Sequence, residues 1–385
     1  MTTEISRRGL IGMGLAAVLI PAVSRAQTAK EKGGVGFAIV GLGKLSQGQL
    51  IPAFRNTRTA RLAGLVSGHP EKAQDIAEQH QLPSGAVYTY ADFDRIAADP
   101  SIEVVYIVLP NFMHAEYTIR ALKAGKHVLC EKPMATTIGD AERMIAAAKA
   151  ANRHLMVAYR CHYEPLNLAG MRLLRSGRLG KTRLVVTDMG RNADPSDPSD
   201  AWRLDMMKSG GGALTDMGIY GVNGARYLLN EEPLEVEAWS QTDKSDPRFR
   251  DVVDFYSWQF RFPSGAIAAG STSFNYAATM SWHVISEHGK MKADPGCFYS
   301  GNRLTVSEGM DPEIREIDQF AREMDWMADV VRGKAPLVSP GEEGLQDMRL
   351  ITAILESVAR DGATIKTDWG YKRAVDPAAV VDVVA

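Results

Sequence analysis

The stretch Val35-Gly36-Phe37-Ala38-Ile39-Val40-Gly41-Leu42-Gly43-Lys44-Leu45-Ser46 decides the fold. Phe37 to Val40 is an unbroken apolar run that ends on glycine, as a strand buried on both faces does. A helix-like stretch from about Gln47 to Asn56 follows it. Glycine permits the tight turn between the two, and its missing Cβ lets backbone approach a pyrophosphate. The N–H groups opening the helix then face negative charge. A full dinucleotide fingerprint has glycine at the third position, where this chain has Ser46, so the strand–turn–helix context carries the reading. Gly41, Gly43, Lys44 and Leu45 are the expected contacts of this loop.

Outward from it, strand and helix alternate. Strands are expected at 61–66, 104–109, 127–130 and 155–159, and helices at 70–80, 114–124 and 138–151. Alternation of this kind predicts a doubly wound α/β Rossmann domain over 35–159. Beyond Tyr159, long segments alternate polar and apolar residues at 182–188, 234–241, 254–262, 266–276 and 282–286. They predict an α+β domain over 160–385, with a large open-faced, mainly antiparallel sheet. Helices are expected near 166–175, 212–229, 317–332 and 341–360.

Ahead of the first strand, Ser6-Arg7-Arg8-Gly9-Leu10-Ile11 leads an apolar run to about Val23 and a small-residue site at Ser24-Arg25-Ala26. That is the layout of a twin-arginine export signal over 1–26, with a short arm over 27–34. The expectation is a protein exported folded to the periplasm, without a membrane span once the signal is removed. The chain has 385 residues, 45% of them hydrophobic, with a formal net charge of −2. No basic block follows the signal, which argues against nucleic acid as a partner. Cys130, Cys161 and Cys297 are too sparse for a disulfide framework. No His/Cys/Asp/Glu spacing suggests a metal.

Candidate chemistry lies past the strand ends, where open α/β sheets place ligands. An NAD enzyme usually has a carboxylate after its second strand, for the ribose 2′-hydroxyl. Here Ser67-Gly68-His69-Pro70-Glu71-Lys72 puts Ser67 there and Lys72 one turn into the helix. That suits the 2′-phosphate of NADP; the other reading is a capped helix with a solvated lysine. Pro110 and Asn111 follow the next strand, with Asn111 facing the nicotinamide ribose. His114 is either a helix-start residue or a contact. Glu131-Lys132-Pro133 ends a further strand. A lysine there can orient a sugar hydroxyl and stabilise developing negative charge, or can be a surface lysine in a turn. Asp216 and Tyr220 are four apart on one helix face, behind Gly210-Gly211-Gly212. A neighbouring ammonium such as Lys132 is expected to lower tyrosine's solution pKa of ~10. Tyr220 then passes a hydroxyl proton while Asp216 accepts a hydrogen bond; the bland alternative is a core tyrosine. Arg160, His162, Tyr163, Trp202 and Arg203 supply the forked donors and aromatic faces that a sugar site needs.

These motifs, in this order, resemble the glucose–fructose oxidoreductase, inositol dehydrogenase and rhizopine catabolism (Gfo/Idh/MocA) family, over nearly all of the chain after the signal. The likeness is carried by 66–72, 124–136, Tyr159-Arg160-Cys161-His162-Tyr163, Trp202-Arg203-Leu204, Gly218-Ile219-Tyr220-Gly221 and Ser339-Pro340-Gly341-Glu342-Glu343-Gly344. Within the family the branch indicated is that of the periplasmic glucose–fructose and aldose–aldose oxidoreductases. The resemblance implies NADP bound too tightly to exchange, catalysis by Lys132 and Tyr220 assisted by Asp216, and a Lys132-Pro133 bond that can be cis. Tyr220 departs from the histidine many members have. The short arm lacks the prolines of the glucose–fructose enzyme's long one, which favours the aldose–aldose relative.

The resulting expectation is a ping-pong enzyme acting on small-molecule sugars. An aldose is oxidised at pyranose C1 to its lactone, and a second sugar, aldose or fructose, is reduced to an alditol through the same NADP. The alternatives are an ordinary NADP-dependent sugar dehydrogenase with exchangeable cofactor and a non-catalytic NADP-retaining sensor. The open sheet face offers a surface for a second copy of the chain.

Overall fold

β1 (Val35–Val40) is buried along its whole length, as its apolar run requires. β2 (Ala60–Val66), β3 (Val87–Tyr88), β4 (Val104–Ile107), β5 (His127–Glu131) and β6 (Leu155–Ala158) complete a six-stranded parallel sheet. Its order is β3-β2-β1-β4-β5-β6. β2 and β4 flank β1, with Phe37 opposite Leu62 on one side and Val104 on the other. The direction of winding therefore reverses at β1, and a crevice opens there. The computed structural model describes residues 33–307 and 311–382. The expected signal over 1–26 and most of the 27–34 arm lie outside the described residues.

The crossovers are α1 (46–53), α2 (Pro70–Gln79), α3 (His114–Lys123) and α4 (Ile138–Ala151). α4 has the bounds its capping residues dictate. The Thr137 side chain accepts the Asp140 N–H at the start, and Asn152 closes the end in the left-handed region at φ 49°. β3 and the 3₁₀ turn Phe93–Ala98 were not expected from the sequence; two residues of strand are too few to show a period.

The second sheet has eight strands. β7 (Thr182–Asn192), β8 (Glu235–Gln241), β9 (Phe255–Arg261), β10 (Ile267–Ser273), β11 (Asn275–Ser286), β12 (Gly289–Ala293), β13 (Leu304–Val306) and β14 (Ile365–Lys366) run in the order β13-β12-β11-β7-β10-β9-β8-β14. Only β7 and β10 pair in parallel; the rest are antiparallel. One face is covered. On β9, Tyr256, Trp258 and Phe260 are buried while the alternate residues are not. The single strand expected over 266–276 is broken at Phe274, and 282–286 is the end of the longer β11. β7 lies between β10 and β11, so the chain must cross its end.

α5 (Pro165–Arg175), α6 (214–229) and α8 (Gly341–Ala359) cover the inner face, while α7 (Gln319–Val331) returns to the first sheet. Phe320, Met324 and Met327 of α7 share one buried cluster with Phe37, Ile39 and Tyr106. The Asp325 carboxylate accepts the N–H groups of Arg58, Thr59 and Ala60 at 2.8–2.9 Å. Fully buried Arg226 ties α6 to α8 through Glu343 at 2.8 Å and through Asp347. α7 thus ties the C-terminal half of the chain to the first sheet, and Arg226 ties α6 to α8 beside it.

Gly41 has φ +94°, and a Cβ there would lie 2.3 Å from the Val108 carbonyl oxygen. Nothing would meet a Cβ on Gly43 within 4 Å. Gly41→Ala should therefore lower unfolding free energy by about 2 kcal/mol or more. Gly43→Ala should unfold like the parent; urea denaturation of the two variants measures the contrast.

Candidate active site

The loop after β1 closes on itself. Ser46, at the third fingerprint position, is buried and donates its hydroxyl to the Gly41 carbonyl at 2.5 Å. Gly43 and Lys44 are left exposed and Leu45 half-buried. After β2, the Ser67 hydroxyl oxygen accepts the His69 N–H at 3.0 Å, and Gly68 is exposed beside the Tyr90 ring. Lys72 reaches back from α2 and donates to the Leu42 carbonyl at 2.7 Å. The sequence placed Lys72 one turn into the helix after the second strand; in the fold it also touches the phosphate loop.

After β4, Pro110 precedes Asn111, whose amide donates to the Ser209 carbonyl of the second domain at 2.8 Å. Asn111 is 4% exposed and joins the two domains at the cleft. His114 is not a ligand contact. It is fully buried, and its ring nitrogens lie 2.8 Å from the Pro133 and Leu109 carbonyls. Burial pushes it down to about 4, so it stays neutral and pins the turn after β5.

Lys132 follows β5, and its bond to Pro133 is cis. Its ammonium donates to the Asp216 carbonyl at 2.8 Å and lies 3.5 Å from the Asp216 carboxylate. The opening of α6 brings Asp216 there. Leu214–Gly218 winds in wide π-type turns, often found at functional sites. Gly221 lets the helix lie against β7, since a Cβ there would be 2.6 Å from the Thr187 hydroxyl. Asp216 also accepts Arg203 Nε–H at 3.0 Å and lies 3.5 Å from Arg191. Burial pushes its carboxyl up, but Arg203, Lys132 and Arg191 outweigh that and hold it well below the usual carboxylate range. Burial pulls the Lys132 ammonium down, and Asp216 and Glu131 oppose that pull. Glu131 itself accepts the Tyr106 hydroxyl at 2.8 Å; burial pushes it up. Trp202 lies under the Arg203 guanidinium, 4.3 Å from its ring centroid.

The Tyr220 ring lies between two cations. Lys132 Nζ is 4.8 Å and Arg160 Cζ 4.9 Å from its centroid. The hydroxyl oxygen accepts Arg160 Nε–H at 3.2 Å. The expected fall in the phenol's pKa does not appear in the protein alone. Burial pushes Tyr220 up, and Arg160 opposes this only in part. Arg160 is itself fixed, donating to Gln319 Oε1 at 2.7 Å and the Cys297 carbonyl at 2.6 Å. It positions Tyr220 from a buried site, 4% exposed.

His162 and Tyr163, expected to touch sugar, are core residues. His162 is 1% exposed and holds Asn223 through Nε2 at 2.8 Å. Tyr163 is fully buried and turns the other way, against Trp326 and the Met156 sulfur. Arg160 opens the 3₁₀ turn Arg160–His162 and reaches Tyr220, while Tyr163 closes that turn and does not. The sequence reading missed Arg191, which also makes a two-pronged pair with Asp200 at 2.6 and 2.7 Å. It missed Gln319 and Tyr299 as well, which pack on Arg160 from the far end of the chain. The position of Arg191 on β7, where polar and apolar residues alternate, was the one available signal.

Residues 35–159 match the model for the oxidoreductase family with an NAD-binding Rossmann fold, and residues 169–292 match the GFO/IDH/MocA C-terminal domain. The D-xylose 1-dehydrogenase [NADP(+)] of Haloarcula marismortui is 33% identical over 340 residues, covering 87% of this chain and 93% of that protein. A second xylose enzyme, D-xylose 1-dehydrogenase (NADP(+)) 2 of Haloferax volcanii, is 29% identical, covering 86% of this chain and 99% of its own. The crystal structure of aldose–aldose oxidoreductase from Caulobacter crescentus, complexed with glycerol, is 40% identical with a TM-score of 0.82. It covers 86% of this chain and 99% of that one. With both domains matched and the likeness running nearly end to end, the chain belongs to the GFO/IDH/MocA family of nicotinamide-dependent oxidoreductases.

Proposed function

We propose that this chain is an NADP-dependent sugar oxidoreductase that oxidises an aldose at pyranose C1 to the lactone and reduces a second sugar to its alditol, keeping the cofactor between the two halves. The main support is Tyr220, with Lys132 and Arg160 both against its ring and Lys132 held in turn by Asp216. The aldose–aldose enzyme at 40% identity supports the substrate class, and the xylose relatives support NADP. The Ser6-Arg7-Arg8 segment supports work in the periplasm, away from the cytosolic nucleotide pool.

The residues present fit NADP. Gly41 keeps the loop open, and Gly43 leaves room beside it. Ser67 stands where a carboxylate would repel a 2′-phosphate. Lys72 uses one N–H on the Leu42 carbonyl and has two more to offer. When bound, NADP supplies the two-electron carrier. Lys132 uses one N–H on the Asp216 carbonyl and faces the carboxylate weakly, which leaves a donor for the C1 hydroxyl oxygen. Asp216 opposes the pull of burial on that ammonium. Tyr220, as the phenolate, takes the hydroxyl proton as the C1–H bond gives up its pair and C1=O forms, and the resulting phenol returns that proton to the second sugar. Arg160 Nε–H steadies the oxygen that alternates between phenol and phenolate.

Retention has a physical counterpart at the cleft. Exposed Lys44, on the phosphate loop, pairs with Asp197 of the second domain, and Asn111 bonds to Ser209. Both contacts bridge the walls beside the loop.

Tyr220→Phe should lower kcat by roughly 10²–10⁴-fold, the usual worth of a general acid–base group, and leave nucleotide bound. Near-normal turnover would remove Tyr220 from the chemistry. Protein dialysed exhaustively should still carry NADP. Its reduced-nicotinamide absorbance should rise with an aldose and fall with a second sugar, with no nucleotide added. Protein that turns over only with fresh NADP would instead be a dehydrogenase with exchangeable cofactor. Asp197→Ala should release part of the retained nucleotide on the same dialysis, read as a fall in nucleotide per chain.

A further inference from the structure

A cavity of about 30 Å³ lies beside Tyr220, with Lys132, His162, Asn223, Tyr227 and Trp282 among its other lining residues. Two of these bury a polar atom without a partner among the described residues, His162 through Nδ1 and Tyr227 through its hydroxyl. The residues are 1% and 0% exposed. Unpaired polar atoms this deep are rare and costly, and two on one cavity are rarer.

The tautomer of His162 follows from its surroundings. The Asn223 amide nitrogen donates to Asp347 at 2.8 Å, which leaves the Asn223 oxygen to face His162 Nε2 at 2.8 Å. Nε2 therefore carries the proton and Nδ1 presents a lone pair. Neither ring can swing away. Their centroids are 3.7 Å apart, and the Arg373 guanidinium lies 3.6 Å from the Tyr227 centroid on a fixed network. The cavity has room for an ordered water, which needs roughly 10–15 Å³ and at least two polar partners.

We infer that a water bound by His162 Nδ1 and the Tyr227 hydroxyl is a working part of the proton-transfer site. It donates one hydrogen to Nδ1, accepts the Tyr227 hydroxyl hydrogen, and has its second hydrogen left for the Tyr220 oxygen. Tyr220 then has two donors, the water and Arg160 Nε–H, to support the phenolate that accepts the sugar proton. His162 and Tyr227 are positioning residues that act through this water. Burial and the nearby Arg373 hold His162 down to about 3, so it is a fixed acceptor and not itself a base. The other ionisable groups facing His162 are Glu343 and Arg226; those facing Tyr220 are Arg160, Lys132, Tyr299, Cys161 and Glu131.

The inference rests on Tyr220 as the proton carrier, and two readouts keep the two ideas apart. A high-resolution crystal structure of the NADP-loaded protein should hold a water within hydrogen-bond distance of His162 Nδ1 and the Tyr227 hydroxyl, whatever the activity. A dry cavity overturns the inference and leaves Tyr220 standing. Tyr227→Phe keeps the stacked ring and removes only the hydroxyl. Its kcat/KM against pH should have the acidic limb moved up by about one pH unit, the scale of one hydrogen bond to a charged group. Activity should recover at higher pH, with nucleotide content unchanged. A profile that superimposes on the parent's overturns the inference.

Discussion

The site depends on one buried carboxylate. Asp216 draws together Lys132 from the end of β5, Arg191 from β7 and Arg203 from the turn before α6. Without that charge, burial would favour neutral lysine, and two arginines would face each other across the same space. With it, the downward pull of burial on the Lys132 ammonium is opposed, and its Nζ is fixed beside the Tyr220 ring. The contact also crosses between the two domains, so the geometry that supports chemistry also holds the cleft in register.

Tyr220 is the other half of the design. Its neighbours are cationic, yet burial keeps it a phenol in the protein alone. In the proposed cycle the phenolate is the form that takes up a proton and the phenol the form that returns one, and Arg160 beside the hydroxyl favours the phenolate against burial. The proposed two-sugar cycle needs that reversibility, since oxidation of one client and reduction of the next leave the same group in opposite states. Cofactor retention would make the cycle self-contained, and the contacts Lys44–Asp197 and Asn111–Ser209 bridge the two domains.

Much of this was legible in the residues. Continuous apolar runs marked the buried parallel strands, and the helix expected over 138–151 matches α4, because those signals are local. Lys132, Asp216 and Tyr220 stood out because strand ends and helical spacing are local too. His114 stayed open between helix start and ligand contact because the carbonyls of Leu109 and Pro133 converge on it only once β4 and β5 are paired. His162 looked available beside Arg160, but its partners Asn223 and Tyr227 come from a helix some sixty residues on. Arg191 carries no motif, and its worth comes from Asp200 and Asp216 meeting it in space. Tertiary contact, which no spacing encodes, decided each of these.

The most direct test is the pH dependence of kcat/KM in Asp216→Asn, which keeps the side chain's shape and removes its charge. The account predicts that the Lys132 ammonium, no longer supported, loses its proton at lower pH, so the basic limb moves down while nucleotide remains bound. A basic limb in the same place as the parent's would contradict it.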